Sequence, residues 1–141
     1  MSGPGDVQLG PILAIPAVLS ELGVRPQRAF AQAGVDPRLF KDPESRIQFE
    51  ALGSLFDACV ALTGCAHFGL LVGERCDLKS FGPLGYLMRN CATVGEAVRS
   101  LLLHFHLHDR GAAPLLLVPD PSHAFLGYSI YRHGTPAVGQ I

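Results

Sequence analysis

Charged residues are scarce in this sequence of 141 residues. They make up 16% of the chain, well below the quarter that is usual in globular proteins, while apolar residues reach 48% and the mean hydropathy is +0.29. A disordered chain needs low hydrophobicity and high charge, so this composition excludes that class. The 11 basic residues are balanced by 12 acidic ones and form no cluster. That balance argues against a chain that binds nucleic acid by itself.

The sequence also lacks a long apolar run. The longest one, residues 9–19, is interrupted by Gly10, Pro11 and Pro16 and is too short to span a bilayer. No basic residue precedes it, so it does not fit a secretory signal peptide. The four cysteines show no Cys-x-x-Cys pair and no zinc-ligand spacing, and three lie in apolar segments with a helical pattern. We therefore expect reduced cysteines and a cytoplasmic protein.

Sequence motifs for catalysis are missing as well. No serine lies in a Gly-x-Ser-x-Gly turn, no Gly-x-Gly-x-x-Gly opens a helix after a strand, and no phosphate-binding loop occurs. There is no obvious pair of acidic residues. The prediction is that the chain is not an enzyme, and the alternative is a small enzyme whose triad or acid pair is assembled only in space.

What the sequence does contain is a succession of helical apolar periods. The motif Gly-Val-x-Pro occurs at 23–26 and again at 34–37, where glycine suits the left-handed residue after a helix and proline suits the first turn of the next. Residues 1–8 are expected to be frayed, and 41–46 to form a polar turn. The predicted helices are 12–22, 26–33, 37–40, a long helix from Phe49 that ends at Gly64, 66–75, and 84–91.

The clearest helix begins at a capping box, with Thr93 as N-cap and Glu96 three residues later. After residues 108–111 the period changes, and 115–118 and 124–131 are predicted as strands of a hairpin around a Pro-Asp-Pro-Ser turn. The expected fold class is therefore α+β, with a mostly helical N-terminal part followed by a small antiparallel β element. Because two strands alone are marginally stable, we expect the chain to be part of a domain.

Candidate binding residues cluster late in the chain. His104 and His108 would lie one turn apart on a helix, a spacing used by paired metal ligands. The interpretation we favour is that these imidazoles interact with the last carbonyls of the helix, because no partner carboxylate or thiol is obviously placed. Tyr128 and Arg132 share one face of the last strand and, with Arg110, could hold a polar ligand.

Several motifs resemble, in order and spacing, the N-terminal effector-sensing domain of AraC-type transcriptional regulators, the arabinose-binding-domain-like subgroup. The resemblance runs from about Leu13 to about Arg132. The motifs are Leu22-Gly23-Val24-x-Pro26, Ala33-Gly34-Val35-Asp36-Pro37, Leu62-Thr63-Gly64, His67-Phe68-Gly69-Leu70, Phe81-Gly82-Pro83-Leu84-Gly85-Tyr86-Leu87, Thr93-Val94-Gly95-Glu96-Ala97-Val98 and the His-Leu-His-Asp-Arg-Gly segment at 106–111.

The resemblance implies a truncated sensor domain that occupies residues 1–141, forms a homodimer and needs no cofactor. A small-molecule effector would bind between the helices and the terminal sheet, with His104, His108, Arg110, Tyr128 and Arg132 as candidate contacts. DNA would be bound only through a C-terminal domain with two helix-turn-helix units that this chain lacks.

An alternative is a haem- or metal-binding sensor. Tyr128-x-x-x-Arg132-x-Gly134 is similar to the Tyr-x-Ser-x-Arg motif of haem-nitric oxide-binding domains, but Ile130 stands where that motif has serine. We favour the effector-sensing interpretation, because haem needs an axial ligand in a closed pocket and the motif is incomplete.

Overall fold

The computed structural model of the chain describes residues 5–131 and residue 139. Six α-helices and four β-strands are found there, with short 3-10 turns at Gly10–Ile12, Pro37–Lys41, Leu78–Phe81 and Phe105–Leu107. The helices are α1 (Ile15–Glu21), α2 (Pro26–Ala33), α3 (Phe49–Thr63), α4 (Phe68–Gly73), α5 (Pro83–Arg89) and α6 (Val94–His104). The strands are β1 (Asp6–Gln8), β2 (Arg46–Gln48), β3 (Ala112–Asp120) and β4 (His123–Ile130).

The α+β fold class is confirmed, and so is most of the helical pattern. Gly34 and Gly64 adopt left-handed backbone after α2 and α3, with φ of 67° at each. The predicted helix 12–22 is shorter than expected. A 3-10 turn containing Pro11 comes first, and α1 begins only at Ile15, with Pro16 in its first turn.

Two expectations about the N-terminal half were wrong. Residues 6–8 are not frayed but form β1, and Arg46 belongs to β2 rather than to a polar turn. The two strands pair antiparallel, with Val7 opposite Ile47. Both of these side chains are buried in the main core, so hydrophobic burial holds the strands together although each has only three residues.

The main core lies between α1, α2, α3 and α4 and the small β1–β2 sheet. Phe56 on α3 and Phe68 on α4 pack edge to face, with ring centroids 6.2 Å apart, and Phe30 on α2 packs against Phe40 at 4.9 Å. All four cysteines are free, but only Cys59 lies within a helix. The expectation that three do was wrong, because the other cysteines follow the last residues of helices.

The C-terminal elements are much less covered than the core. Helix α6 has its predicted apolar stripe, yet none of its residues is fully buried, and Val94 is 82% exposed. Strands β3 and β4 form the predicted antiparallel hairpin, in which Leu117 pairs with Phe125. Most of the hairpin side chains are exposed, so the hairpin projects from the helical core.

Candidate functional site

A pocket of about 360 Å³ lies between the helical core and the base of the hairpin. Its walls come from elements far apart in sequence, namely β1, α3, α4, two of the 3-10 turns, residues 105–109 and β4. Its volume falls at the lower end of the range of small-molecule sites. The lining residues are Val7, Gln8, Pro11, Ile12, Phe49, Leu52, Phe56, Gly69, Val72, Gly73, Cys76, Phe81, Phe105, His108, Asp109 and Tyr128.

The segment that follows α6 enters this pocket because its backbone pairs with β1. The amide of Gln8 donates to the carbonyl of His108 (3.0 Å), and the amide of Arg110 donates to the carbonyl of Asp6 (2.9 Å). Val7 and Asp109 form an antiparallel bridge, so residues 108–110 extend the β1–β2 sheet on its second edge. This pairing buries His108 and Asp109, of which only 5% and 1% are exposed.

The carboxylate of Asp109 joins the hairpin to the core. One of its oxygens accepts a hydrogen bond from the amide of Gly111 (2.7 Å), and the other accepts one from the hydroxyl of Tyr128 on β4. Burial raises the pKa of Asp109, and the hydrogen bonds from Tyr128 and Gly111 oppose that increase. Burial and the same contact with Asp109 raise the pKa of Tyr128, so its hydroxyl keeps the proton that it donates.

His108 is held as a neutral imidazole in the same corner of the pocket. Its Nδ1 lies 3.3 Å from Oε1 of Gln8, so Nδ1 carries the proton and donates it. Burial lowers the pKa of His108 to about 4, and the nearby charge of Arg46 contributes to the decrease. The rings of Phe81 and Phe105 pack against the imidazole, with centroids 5.0 and 5.8 Å away.

Arg46 on β2 holds the backbone around His108 in place. Its guanidinium donates to the carbonyls of Asp6 (3.3 Å), Leu107 (3.2 Å) and His108 (3.0 Å), and forms an ion pair with the buried carboxylate of Asp6 at 2.9 Å. A single side chain therefore links β2, β1 and the segment after α6. Such charge-assisted hydrogen bonds are stronger than neutral ones, which suits a site that must keep its shape.

The five residues predicted from the sequence have different positions in the structure. His108 and Tyr128 line the pocket. His104, the last residue of α6, does not; its Nδ1 lies 2.9 Å from the carbonyl of Ser100, the arrangement expected for an imidazole at a helix C-terminus. Arg110 lines a smaller cleft on the other side of Phe49. Arg132 lies outside the described residues.

The proposed pair of metal-ligating histidines does not share a helical face. Helix α6 ends at His104, and a 3-10 turn follows before His108 is buried beside Gln8. Throughout residues 5–131, no three His, Cys, Asp or Glu side chains are grouped as metal ligands would be.

Sequence reasoning missed three polar residues of this site: Gln8, Arg46 and Asp109. Gln8 and Arg46 lie in segments that were expected to be frayed or to turn. Asp109 lies within the His-Leu-His-Asp-Arg-Gly motif, and its bridge partner, Val7, comes from the other end of the chain. The motif itself was the available signal for Asp109, because it is a dense run of titratable side chains in the sequence.

Comparisons with known proteins agree with the sensor fold. Residues 23–138 match the arabinose-binding domain of AraC transcription regulators, an N-terminal domain. The ornithine utilization regulator of Pseudomonas aeruginosa is 30% identical over 90 residues, which are 64% of this chain and 26% of that relative. The matched stretch thus spans about a quarter of that relative's length. In the described part of the chain, no helix is long and apolar enough to cross a membrane. Because the family match covers most of the chain, this protein belongs to the N-terminal arabinose-binding domains of AraC transcription regulators.

Proposed function

We propose that this domain binds a small-molecule effector in the 360 Å³ pocket and thereby controls an attached DNA-binding domain in the bacterial cytoplasm. The observation that carries the proposal is the position of Tyr128. This residue belongs to the exposed hairpin, lines the pocket, and is tied to the core through Asp109. A sensing role rather than catalysis accords with the family to which the chain belongs.

The pocket couples an effector to the hairpin through the contacts of Tyr128. Besides its bond to Asp109, this side chain packs edge to face on Phe105, with ring centroids 6.0 Å apart and planes at 87°. An effector that occupies the pocket touches both aromatic side chains and favours one placement of the hairpin over another. A ligand shifts such an equilibrium only by its difference in affinity for the two states, and Tyr128 supplies that difference.

His108 and Tyr128 are the contacts that we assign to the effector. Both line the pocket, and each keeps a hydrogen-bonding atom beyond the bond already described. The neutral imidazole of His108 has Nε2 as an acceptor, and the oxygen of Tyr128 can accept as well as donate. His104 and Arg110 are assigned no direct contact with an effector in this pocket, and Arg132 lies outside the described residues.

The test is a search for ligands with a matched pair of tyrosine variants. Thermal unfolding of the protein is followed with a panel of small metabolites that includes arabinose and ornithine, since a ligand that binds the folded state raises Tm. A true effector gives a smaller increase in Tyr128→Phe. It gives the wild-type increase in Tyr86→Phe, because Tyr86 is 73% exposed on α5, away from the pocket. An effector whose response is equal in both variants contradicts the role of Tyr128.

We also propose that the domain forms a homodimer through its hairpin. On one face of the hairpin Leu115, Leu117 and Phe125 are 51%, 66% and 59% exposed, a concentration of apolar surface that usually marks an interaction site. Asp120 is the only Asp, Glu, Lys or Arg between Ala112 and Tyr131. Two copies can therefore approach symmetrically with little repulsion between like charges.

Sedimentation velocity of paired leucine variants tests the dimer. Leu117→Asp places a charge in the hairpin face and converts dimer to monomer. Leu70→Asp, at a 76% exposed leucine on α4, leaves the dimer intact. A wild-type protein that stays monomeric, or a dimer that Leu117→Asp does not weaken, rejects this interface.

A further inference from the structure

We propose that the ligand of the central pocket is an uncharged, mostly apolar molecule, aromatic by preference, and not a sugar or an amino acid. This inference rests on the proposed sensing function and names the chemical class of the effector. It concerns the same pocket between α3, α4 and the base of the hairpin.

The first reason is the composition of the pocket wall. Four phenylalanines from three different elements face the same space: Phe49 and Phe56 from α3, Phe81 from a 3-10 turn and Phe105 from the turn after α6. Leu52 and Val72 add aliphatic surface between them. A ligand gains free energy here in proportion to the apolar area that it removes from water, at roughly 25 cal/mol per Å².

The second reason is that the polar side chains of the pocket bind one another and leave few atoms free, among them Nε2 of His108 and the accepting oxygen of Tyr128. Both carboxylate oxygens of Asp109 accept hydrogen bonds, from Gly111 and from Tyr128, and Nδ1 of His108 is paired with Gln8. A pentose would bring several hydroxyl groups that find few free partners here. Each buried hydroxyl left without a partner costs about 1–3 kcal/mol, so a sugar is disfavoured.

The third reason is the absence of a partner for charge. Among the described residues that line the pocket there is no Lys or Arg, so a ligand carboxylate meets no cation from that part of the chain. Asp109 is the only carboxylate among those described lining residues, and its oxygens are occupied. Burying an unpaired ion is costly, which disfavours amino acids with their charged ammonium and carboxylate groups.

An aromatic ligand is preferred because the pocket presents ring edges and faces in several directions. Phe105 meets both Tyr128 and His108 at steep angles, 87° and 65°, and Phe81 is tilted by 59° against His108. A planar ring inserted among them makes offset or edge-to-face contacts, which are worth about 0.5–1.5 kcal/mol each beyond area burial.

The experiment uses the uncharged fluorescent probe N-phenyl-1-naphthylamine, whose emission rises in an apolar site. We expect saturable binding of one probe for each chain. Gly73 lines the pocket and a Cβ at this residue meets no atom within 4 Å, so the backbone accommodates Gly73→Leu, which adds apolar bulk at the pocket wall. This variant should weaken probe binding about tenfold or more. The control Gly95→Leu, on α6 and outside the pocket, should bind as the wild type does.

A second pair of measurements separates the pocket from other apolar surface. Phe125→Ser reduces the apolar surface of the hairpin and should leave probe binding unchanged. Cys76 is one of the residues that line the pocket, so the probe should also slow alkylation of its thiol in a Cys65→Ser/Cys91→Ser protein, as measured by mass spectrometry. This readout does not depend on the folding of the Gly73 variant.

The outcomes distinguish the ligand class from the sensing function. If Gly73→Leu abolishes stabilisation by a sugar or an amino acid while it leaves probe binding unchanged, the apolar class is refuted and the sensing pocket stands. If neither the probe nor any polar ligand depends on Gly73 and the probe does not protect Cys76, both proposals fail. Probe binding that is lost in Gly73→Leu and protects Cys76 supports both.

Discussion

Mild acid should destabilise this domain through one buried side chain, His108. Burial and the charge of Arg46 lower its pKa to about 4, whereas a histidine in an unfolded chain titrates near 6.5. Because the pKa is lower in the folded state, the unfolded chain binds more protons between these two values. The contribution to stability is therefore complete above pH 6.5 and is lost as the pH falls towards 4.

The size of the effect follows from the two pKa values. A difference from 6.5 to about 4 corresponds to about 3 kcal/mol when fully expressed, at about 1.4 kcal/mol for each pKa unit. Between pH 7.5 and pH 5.0, the free energy of unfolding should fall by about 2 kcal/mol from this residue alone. That is a large fraction of the free energy of unfolding of a typical domain, which is about 5–15 kcal/mol.

Other charged groups near His108 have to be separated from its effect. Arg46 contributes to the low pKa of His108, and Asp6 is the ion-pair partner of Arg46. Burial raises the pKa of Asp109, so its contribution has the opposite sign and decreases stability as the pH rises above 3.8. A variant that removes only the imidazole isolates the contribution of His108 to the pH dependence of stability, because Asp109 is still present in it.

The assay is urea unfolding of the wild type and His108→Gln at pH 7.5 and pH 5.0. Glutamine does not titrate and still offers an amide to Gln8, so the variant should lose about 2 kcal/mol less than the wild type between the two pH values. His123→Gln is the control, since His123 is exposed at the start of β4, beside Asp120. Equal pH dependence in the wild type and His108→Gln would falsify the assignment of a buried neutral imidazole.

Three further changes test the fold. Gly85→Ala should strongly destabilise the protein, because its Cβ would overlap the backbone carbonyl of an adjacent turn. Gly95→Ala should raise the free energy of unfolding by up to about 1 kcal/mol, because alanine favours a helix and its Cβ has room. Differential scanning calorimetry of both variants tests these two expectations. Burial raises the pKa of Cys59 to about 12, so native protein at pH 8 should be alkylated at Cys91 and not at Cys59, and equal labelling would contradict its burial. Arg46→Met should cost about 3 kcal/mol in urea unfolding because it leaves a buried carboxylate unpaired, and a loss below about 1 kcal/mol would refute the ion pair.

The elements that the sequence predicts well are those whose signals lie within a few residues. Helix α2 has the predicted bounds because Pro26 starts it and Gly34 ends it. The capping box also forms, since Oγ1 of Thr93 accepts the amide of Glu96 at 3.1 Å. The carboxylate of Glu96 binds the amide of Ala92 (2.9 Å), one residue earlier than in the standard box.

The elements that sequence analysis missed depend on partners far along the chain. Strands β1 and β2 have three residues each, too few to show an alternating pattern. They exist because Val7 and Ile47 share the core and because Arg46 binds carbonyls 61 and 62 residues away. No local propensity encodes such contacts, which is why the Gly-, Pro- and Ser-containing start of the chain was expected to be frayed.

The same long-range pairing explains why the candidate site was only half predicted. His108 and Tyr128 were selected for their chemistry, but Asp109 is the residue that brings them together, since it follows His108 and binds the hydroxyl of Tyr128. Asp109 is buried because β1 pairs with the segment after α6. The bridge that shapes the pocket is thus also the anchor of the hairpin. Loss of the Asp109 carboxylate, as in Asp109→Leu, would release the hairpin and alter the pocket wall together, so in this fold effector binding and hairpin placement share one set of contacts.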